Sequence, residues 1–537
     1  MTKSPASKLA SPSWKSPPPS PDRPCPAKIS TTFACMKRIL WLTLLLLPLL
    51  LLLLACNREE KFTTAGNDRL EFSTDTLRFD TVFTELGSAT RFFRVYNRHN
   101  ESIKISKIRL AGNAQSKFNL NVDGIPGDEH EDVVIYPNDS IYVFAEVTIN
   151  PDDPLSVSPF FVYDSVIFET NGNVQAVTLE AFGQNANYLP SRWAKDSVSI
   201  FTCNGGEWVW DDPKPYVIYG IVGFTDCTVT IPAGARVHIH GGVSRRVFSA
   251  DSMLIYNSGR LDFYENARLN VLGTAENPVI IQGDRLEEDF QDADGQWVGI
   301  YISSGSQGSN IEYATIKNSL FGIYVDSAAD LTLRNTQIYN TSGVGLLGFH
   351  ANISAENCLF YNNGNYCVQL AFGGNYNFTY CTLANYGTNT PALSFGNGIC
   401  DDPLCSTPPR INPLFIEVKN SIIYGSKRDE IAITDFTFGD DPDALQYSFT
   451  NCIVRVNELL DPLIGGFPDF FDHCNPCINA SPTDALFRDI NEDDFHLDTL
   501  SIAEEMAMPI PGILIDLEGD MRDLLKPDIG SFEYKIE

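Results

Sequence analysis

An internal repeat near 22 residues constrains this chain more than any other feature. The segments Ile311-Glu312-Tyr313-Ala314-Thr315-Ile316-Lys317-Asn318, Leu333-Arg334-Asn335-Thr336-Gln337-Ile338-Tyr339-Asn340, Ala355-Glu356-Asn357-Cys358-Leu359-Phe360-Tyr361-Asn362 and Phe378-Thr379-Tyr380-Cys381-Thr382-Leu383-Ala384-Asn385 align on their apolar and Asn positions and start 22, 22 and 23 residues apart. Weaker copies begin at Val418 and Phe449, after gaps of 40 and 31 residues, which implies loops inserted between repeats. Twenty-two residues is one coil of a parallel β-helix, each coil giving a strand to several stacked parallel sheets. One coil cannot bury its own apolar face, so neighbours must stack into a continuous core. Leucine-rich repeats share this period, but their L-x-x-L-x-L frame is missing. The recurring Asn residues suit corners in left-handed backbone, and their amides are expected to ladder from coil to coil. Cys358, Cys381 and Cys452 fall at one register position and are expected inside the solenoid as small apolar residues.

Further coils are visible upstream in Val229-Thr230-Ile231-Pro232-Ala233-Gly234-Ala235 and Ala267-Arg268-Leu269-Asn270-Val271-Leu272. With Gly273-Thr274-Ala275-Glu276-Asn277-Pro278-Val279-Ile280 and Gly295-Gln296-Trp297-Val298-Gly299-Ile300, the chain resembles the right-handed parallel β-helix repeat lipoproteins of Bacteroidetes, which have a pectate-lyase-like fold and no settled activity. The stretches Asp516-Leu517-Glu518-Gly519-Asp520-Met521-Arg522 and Pro527-Asp528-Ile529-Gly530-Ser531-Phe532-Glu533-Tyr534 look like the closing segment common in that group. The resemblance implies a fold, not a reaction.

The N-terminus carries a different message. Residues 1–35 are Pro, Ser, Lys and Ala-rich and lie outside any fold, as a disordered or mis-annotated leader. Met36-Lys37-Arg38 and the apolar run to Ala55 read as an export signal over residues 36–55. The run ends Leu53-Leu54-Ala55-Cys56, which resembles a lipobox and implies that Cys56 is acylated and anchors the chain to a membrane. Asn57-Arg58-Glu59-Glu60 is similar to the export tag of surface lipoproteins, so the outer membrane facing outward is the expected location, with residues 56–69 as a tether. The formal net charge of −30 repels nucleic acid and anionic lipid surfaces, which excludes a nucleic-acid partner.

Residues 70–186 read as about seven short alternating strands, among them Phe92–Tyr96, Ile141–Val147 and Val174–Leu179, separated by turns such as Pro137-Asn138-Asp139-Ser140. The expected fold is therefore all-β: an N-terminal Ig-like β-sandwich followed by a right-handed parallel β-helix solenoid. Residues 187–226 are assigned to a linker and N-terminal cap, 227–480 to the β-helix and 481–537 to a C-terminal cap segment.

Chemistry is harder to place. Outward positions of the clearest coils align Glu312, Arg334 and Glu356 as an acid-base-acid ladder, either a structural ion-pair ladder or a ligand contact. Tyr339 and Tyr361 share an outward register and are candidate glycan contacts. The densest carboxylate run contains Asp284, Glu287, Glu288, Asp289, Asp292 and Asp294; it is the candidate calcium site, although the D-x-D-x-D-G frame is not met, and no other cofactor is expected. His238 and His240 share a strand face but lack a third ligand nearby, which favours packing over metal. Cys400 with Cys405 and Cys474 with Cys477 are candidate disulfides. There is no G-x-S-x-G, phosphate loop or H-E-x-x-H, and no catalytic residue is identified. The expected function is a non-catalytic surface lipoprotein that binds glycan or another envelope protein; the alternative is a carbohydrate-active enzyme such as a calcium-assisted polysaccharide lyase.

Overall fold

The computed structural model describes residues 61–535 apart from 84–89, 113–115, 149–159, 185, 192–196, 250–251, 287–289 and 403. The leader, the signal segment and Cys56 lie outside the described residues.

Residues 71–184 form two five-stranded sheets around one apolar core. Strict alternation builds them: in Ser140–Val147, Ile141, Val143, Ala145 and Val147 point inward while every second residue reaches solvent. In Ile103–Leu110 a register shift between Ile105 and Lys107 resets that alternation, so that Ile103, Ile105, Ile108 and Leu110 are all buried. The pairing is mainly antiparallel, but Thr76–Phe83 runs parallel to Asn173–Gln184.

The described residues from 187 to 479 form a parallel β-helix with three faces. The strands Gly299–Ile302, Ile323–Val325, Leu393–Gly396 and Ile431–Thr434 belong to face 1, and Ser309–Glu312, Asp330–Arg334, Leu414–Lys419 and Leu445–Thr450 to face 2. The long strands Ile221–Pro232, Leu346–Glu356 and Val368–Thr379 turn the corner between these two faces and join them into one 14-stranded sheet. Face 3 is an 11-stranded sheet that includes Ala314–Lys317, Gln337–Thr341, Leu359–Asn363, Thr382–Asn385 and Ile422–Gly425. Inward residues stack in register: Ile300, Ile323, Leu346, Val368, Leu393 and Ile431 on face 1. Ile316, Ile338, Phe360, Leu383 and Ile423 do the same on face 3. Such columns carry the core along the axis, and each coil stabilises only its neighbours.

The corner between faces 2 and 3 is left-handed at Tyr313, Asn335, Asn357, Tyr380, Asn420 and Asn451, with φ between 46° and 53°. Asn tolerates this conformation, while a residue such as Tyr pays roughly 1–2 kcal/mol for it. Their amides do not ladder from coil to coil as the sequence suggests. Asn335 Nδ2 donates to Asp516 O (2.6 Å), Asn357 Nδ2 to Ile515 O (2.9 Å) and Asn420 Nδ2 to Met508 O (2.7 Å). These three amides hold the C-terminal segment instead, whose backbone carbonyls supply their acceptors.

Two boundaries shift for related reasons. Strands Asn187–Leu189, Val198–Val209 and Tyr216–Tyr219 already pair with coil strands, so the solenoid begins within the expected linker. At the corner between faces 2 and 3 the first coil has no Asn; Trp210 is buried there with its ring 4.8 Å from that of Tyr216. At the other end, residues 480–534 do not cap the axis but lie along face 3, where Leu486, Phe487, Phe495, Leu517 and Phe532 cover Leu359, Tyr361, Ala384, Ile422 and Ile453.

Candidate binding face

The outward positions decide what each face can do. On face 3 they are covered throughout the middle of the solenoid. Arg522 is the clasp: its Nη2 donates to Asn357 Oδ1 (3.0 Å) and Gly530 O (2.9 Å), its Nη1 pairs with Glu533 Oε2 (3.3 Å), and its guanidinium lies 4.0 Å over the Tyr380 ring. Asp516 accepts from the amides of Glu518, Asp520 and Glu533, which ties the two halves of the closing motif together. Gly530 donates its amide to Asn420 O, and a Cβ there would lie 2.6 Å from Ile422 Cδ1.

This cover corrects the tyrosine reading. Tyr339 and Tyr361 do stack, with centroids 4.4 Å apart, but Tyr361 is buried against Phe495 and Tyr339 packs beside the same cluster. They pack beneath the C-terminal segment and form no open glycan platform. Burial drives both phenols above their ordinary pKa.

The acid-base-acid ladder is assembled in register, Glu312 opposite Arg334 and Arg334 opposite Glu356, with an Arg334 Nη1 to Glu312 Oε1 contact of 2.8 Å. It continues through Thr379, Lys419 and Thr450 along the edge of face 2. Burial pushes the Glu356 carboxyl up, against the pull of Arg334 and Arg522. The remainder of face 2 is an exposed, mostly polar array in which Asn375 donates to Asn352 and Asn352 to Asp330, each at 2.8 Å, with the exposed Phe415 next in that column.

Carboxylates of the acidic loop are separately engaged. Asp284 accepts from His240 Nδ1 at 2.7 Å and Asp292 pairs with Lys317 Nζ at 3.0 Å. Among the described residues, Asp294 included, no cluster of three or more His, Cys, Asp or Glu is arranged to hold a metal ion; Glu287, Glu288 and Asp289 lie outside the described residues. His238 is buried, and burial pulls its imidazole down to about 4. Cys358, Cys381 and Cys452 are fully buried in the solenoid core. Cys400 and Cys405 are joined by a disulfide, as are Cys203 and Cys227, a pair the spacing did not suggest, whereas Cys474 and Cys477 are thiols.

Face 1 is different. Arg260, Asp262 and Tyr264 project from one side of the strand Arg260–Phe263 and its continuation, because alternate residues share a face. Arg260 holds Asp262 with both arms (2.6 and 2.7 Å), and Tyr264 Oη donates to the same carboxylate at 2.5 Å. In the next coil Tyr301 sits opposite Asp262 in register, donates to Asp326 Oδ2 at 2.5 Å and carries the Arg260 guanidinium 5.6 Å above its ring. Tyr324 follows in register, edge-on to Tyr301 at 5.2 Å. Burial and the Asp262 acceptor push Tyr264 up to about 12, and burial and Asp326 raise Tyr301 as well, so both phenols keep their protons and donate at neutral pH. The row continues through Leu347, Gln369 and Ser394. It ends in a cleft of about 610 Å³ between that row and the loop closed by Cys400 and Cys405, with Asp401 and Asp402 on its rim. Arg410 braces that loop by pairing with Asp401 at 2.9 Å and lying 5.2 Å over Phe372.

These half-buried rings, flanked by fixed carboxylates and an Arg, form a face on which a sugar ring can stack and hydrogen-bond. The sequence reading passed over Arg260, Asp262, Tyr264, Tyr301 and Asp326. The alternating Arg-x-Asp-x-Tyr was a usable signal, but its partner Tyr301 lies in the following coil, beyond a loop that breaks the 22-residue period.

The family profile for the right handed β-helix region matches residues 290–438. No curated protein matches the chain. Among solved structures, a protein of unknown function from Porphyromonas gingivalis is 11% identical with a TM-score of 0.16, the match covering 26% of this chain and 59% of that one. This chain thus spans about three fifths of that protein. The catalytic unit of an α-1,3-glucanase from Streptomyces thermodiastaticus is 10% identical, with 68% and 74% covered and a TM-score of 0.27. A point variant of a periplasmic alginate epimerase is 9% identical, with 57% and 83% covered and a TM-score of 0.21. The profile and the strand topology agree on a right-handed β-helix; none of the structural likenesses bears on activity.

Proposed function

We propose that this chain is a cell-envelope lipoprotein, acylated at Cys56 and displayed outward from the outer membrane of a Bacteroidetes-type cell, whose β-helix binds glycan through face 1 without catalysis. The N-terminal two-sheet module is read as an Ig-like stalk. The carrying observation is the contrast in cover: the C-terminal segment packs on face 3, while Tyr264, Tyr301 and Tyr324 on face 1 reach solvent beside Arg260, Asp262 and Asp326. A glycan-array screen followed by calorimetry tests this. The Tyr301→Ala, Tyr324→Ala double variant is expected to bind at least tenfold more weakly with its fold intact, and equal binding overturns the reading.

A second reading has an observation of its own. Asp262 and Asp326 each accept from a tyrosine of face 1, Asp262 from Tyr264 and Asp326 from Tyr301, and a glycoside hydrolase requires two carboxylates on one face. Incubation with acidic and neutral polysaccharides, with and without calcium, separates the two: released product that disappears in Asp262→Asn replaces the binding reading with the enzymatic one.

A further inference from the structure

Three thiols meet where the solenoid ends. Cys452 opens the strand Cys452–Val454 of face 3, and Cys477 opens the next strand, Cys477–Asn479, directly opposite it in parallel register. Cys474 follows the short 3-10 helix Phe470–His473 and is bridged to Phe449, which places it beside the same corner. Cys452 is fully buried, whereas Cys474 and Cys477 are partly exposed and pack against the core that contains Cys452. Cys477 therefore has one thiol neighbour across the coils and another three residues back in its own turn.

We propose that Cys452, Cys474 and Cys477 form a thiol–disulfide site in which Cys477 is the shared partner and oxidation ties the last coil to the one before it. Cys477 is partly exposed, stands opposite Cys452 in register and lies three residues from Cys474, so it is the sulfur that an oxidant and both other thiols can reach, and these neighbours hold it below the usual thiol range as the attacking thiolate. The oxidant is a small disulfide such as oxidised glutathione. The Cys477 thiolate attacks one of its sulfurs, forms a mixed disulfide and releases one glutathione thiolate. The Cys474 thiol, losing its proton to solvent, attacks the Cys477 sulfur and releases the second glutathione; two electrons have passed from the protein to the oxidant. Cys452 then displaces Cys474 from Cys477 by exchange, with no further change in oxidation level. The resulting bond closes the loop 453–476, which contains the exposed Leu463 and Ile464, and fixes the strand from which the chain leaves at Ala480 to lie along face 3. Cys358 and Cys381 also touch, but both are fully buried and offer no route for an oxidant.

Tryptic mapping without reduction distinguishes the bonds. Cleavage after Arg455 leaves Cys452 on one peptide and puts Cys474 and Cys477 together on the peptide 456–488. After reduction and titration of the full chain with oxidised glutathione, wild type is expected to give the cross-linked pair of peptides together with the internally bridged one. Cys474→Ser gives only the cross-link, Cys452→Ala only the internal bridge, and Cys477→Ser neither, leaving glutathione on Cys474. A Cys452–Cys474 cross-link in Cys477→Ser, or no cross-link in Cys474→Ser, overturns the proposal. Circular dichroism checks each variant; should the core change Cys452→Ala unfold the chain, wild type and Cys474→Ser decide alone, since both carry the native core.

Discussion

Faces 1 and 3 of this solenoid share a backbone but not a fate. Both alternate inward and outward residues, and both put tyrosines outside, yet Tyr361 is buried beneath Phe495 while Tyr301 reaches solvent with its hydroxyl on Asp326. The difference lies in the neighbours. Around Tyr361 the outward positions include Leu359, Ala384, Ile422 and Ile453 beside the stacked Tyr339, a largely apolar set that only a second layer can bury. Around Tyr301 they are Arg260, Asp262, Ser303 and Asp326, whose hydrogen bonds are made on the face itself. An outward tyrosine is thus ambiguous alone and becomes readable from the residues stacked above and below it.

The sharpest way to break this comparison is to release the cover. Arg522→Ala removes the cation that holds Asn357, Gly530 and Glu533 together, and leaves the Glu533 carboxylate and buried carbonyls without their partner. A loss of about 3–5 kcal/mol is expected, measured as a shift in the denaturant midpoint. Binding to face 1 by whatever protein remains folded should not change. Next in size is Tyr361→Ala, expected to cost about 3 kcal/mol as a buried aromatic with glycan binding unaffected; weakened binding at constant stability would return the Tyr339–Tyr361 pair to the site.

His238 supplies a pH-dependent test on face 3 beyond that cover, in the first coils, where it pairs in register with Val217 and Gln282. Its folded pKa of about 4 lies below the unfolded value of 6.5, so the unfolded chain takes up the proton first. Its contribution is complete above about pH 6.5 and is lost as pH falls from there towards 4, to a limit of about 3 kcal/mol. Denaturation midpoints of His238→Gln should lack that segment of the acid slope; a wild-type slope in the variant assigns the acid sensitivity to other groups. Removing the ladder residue Arg334 is expected to matter least. Its pair with Glu312 is exposed, and Arg334→Ala should cost less than about 1 kcal/mol. A larger cost, or a loss of glycan binding, would make the ladder part of the site.

The solenoid was legible because its signal is local. Isoleucine, leucine and asparagine recurring at 22 residues required stacked coils, and the order Glu312, Arg334, Glu356 followed from the same count. Where loops stretch the period, as between Arg260 and Tyr301, register could not be counted, and the richest cluster on face 1 was missed. The Asn corners were recognised, but the destination of their amides was not, because their acceptors at Met508, Ile515 and Asp516 lie 88 to 181 residues away.

By itself, then, the amino-acid order determined the coils, their inward columns and their left-handed corners, since each depends on a residue and the coil beside it. Only the tertiary structure decided which face is covered and which is presented. That choice rests on a C-terminal segment whose Arg522, Gly530 and Glu533 find their partners through space, and a contact of that span leaves no period in the sequence to read.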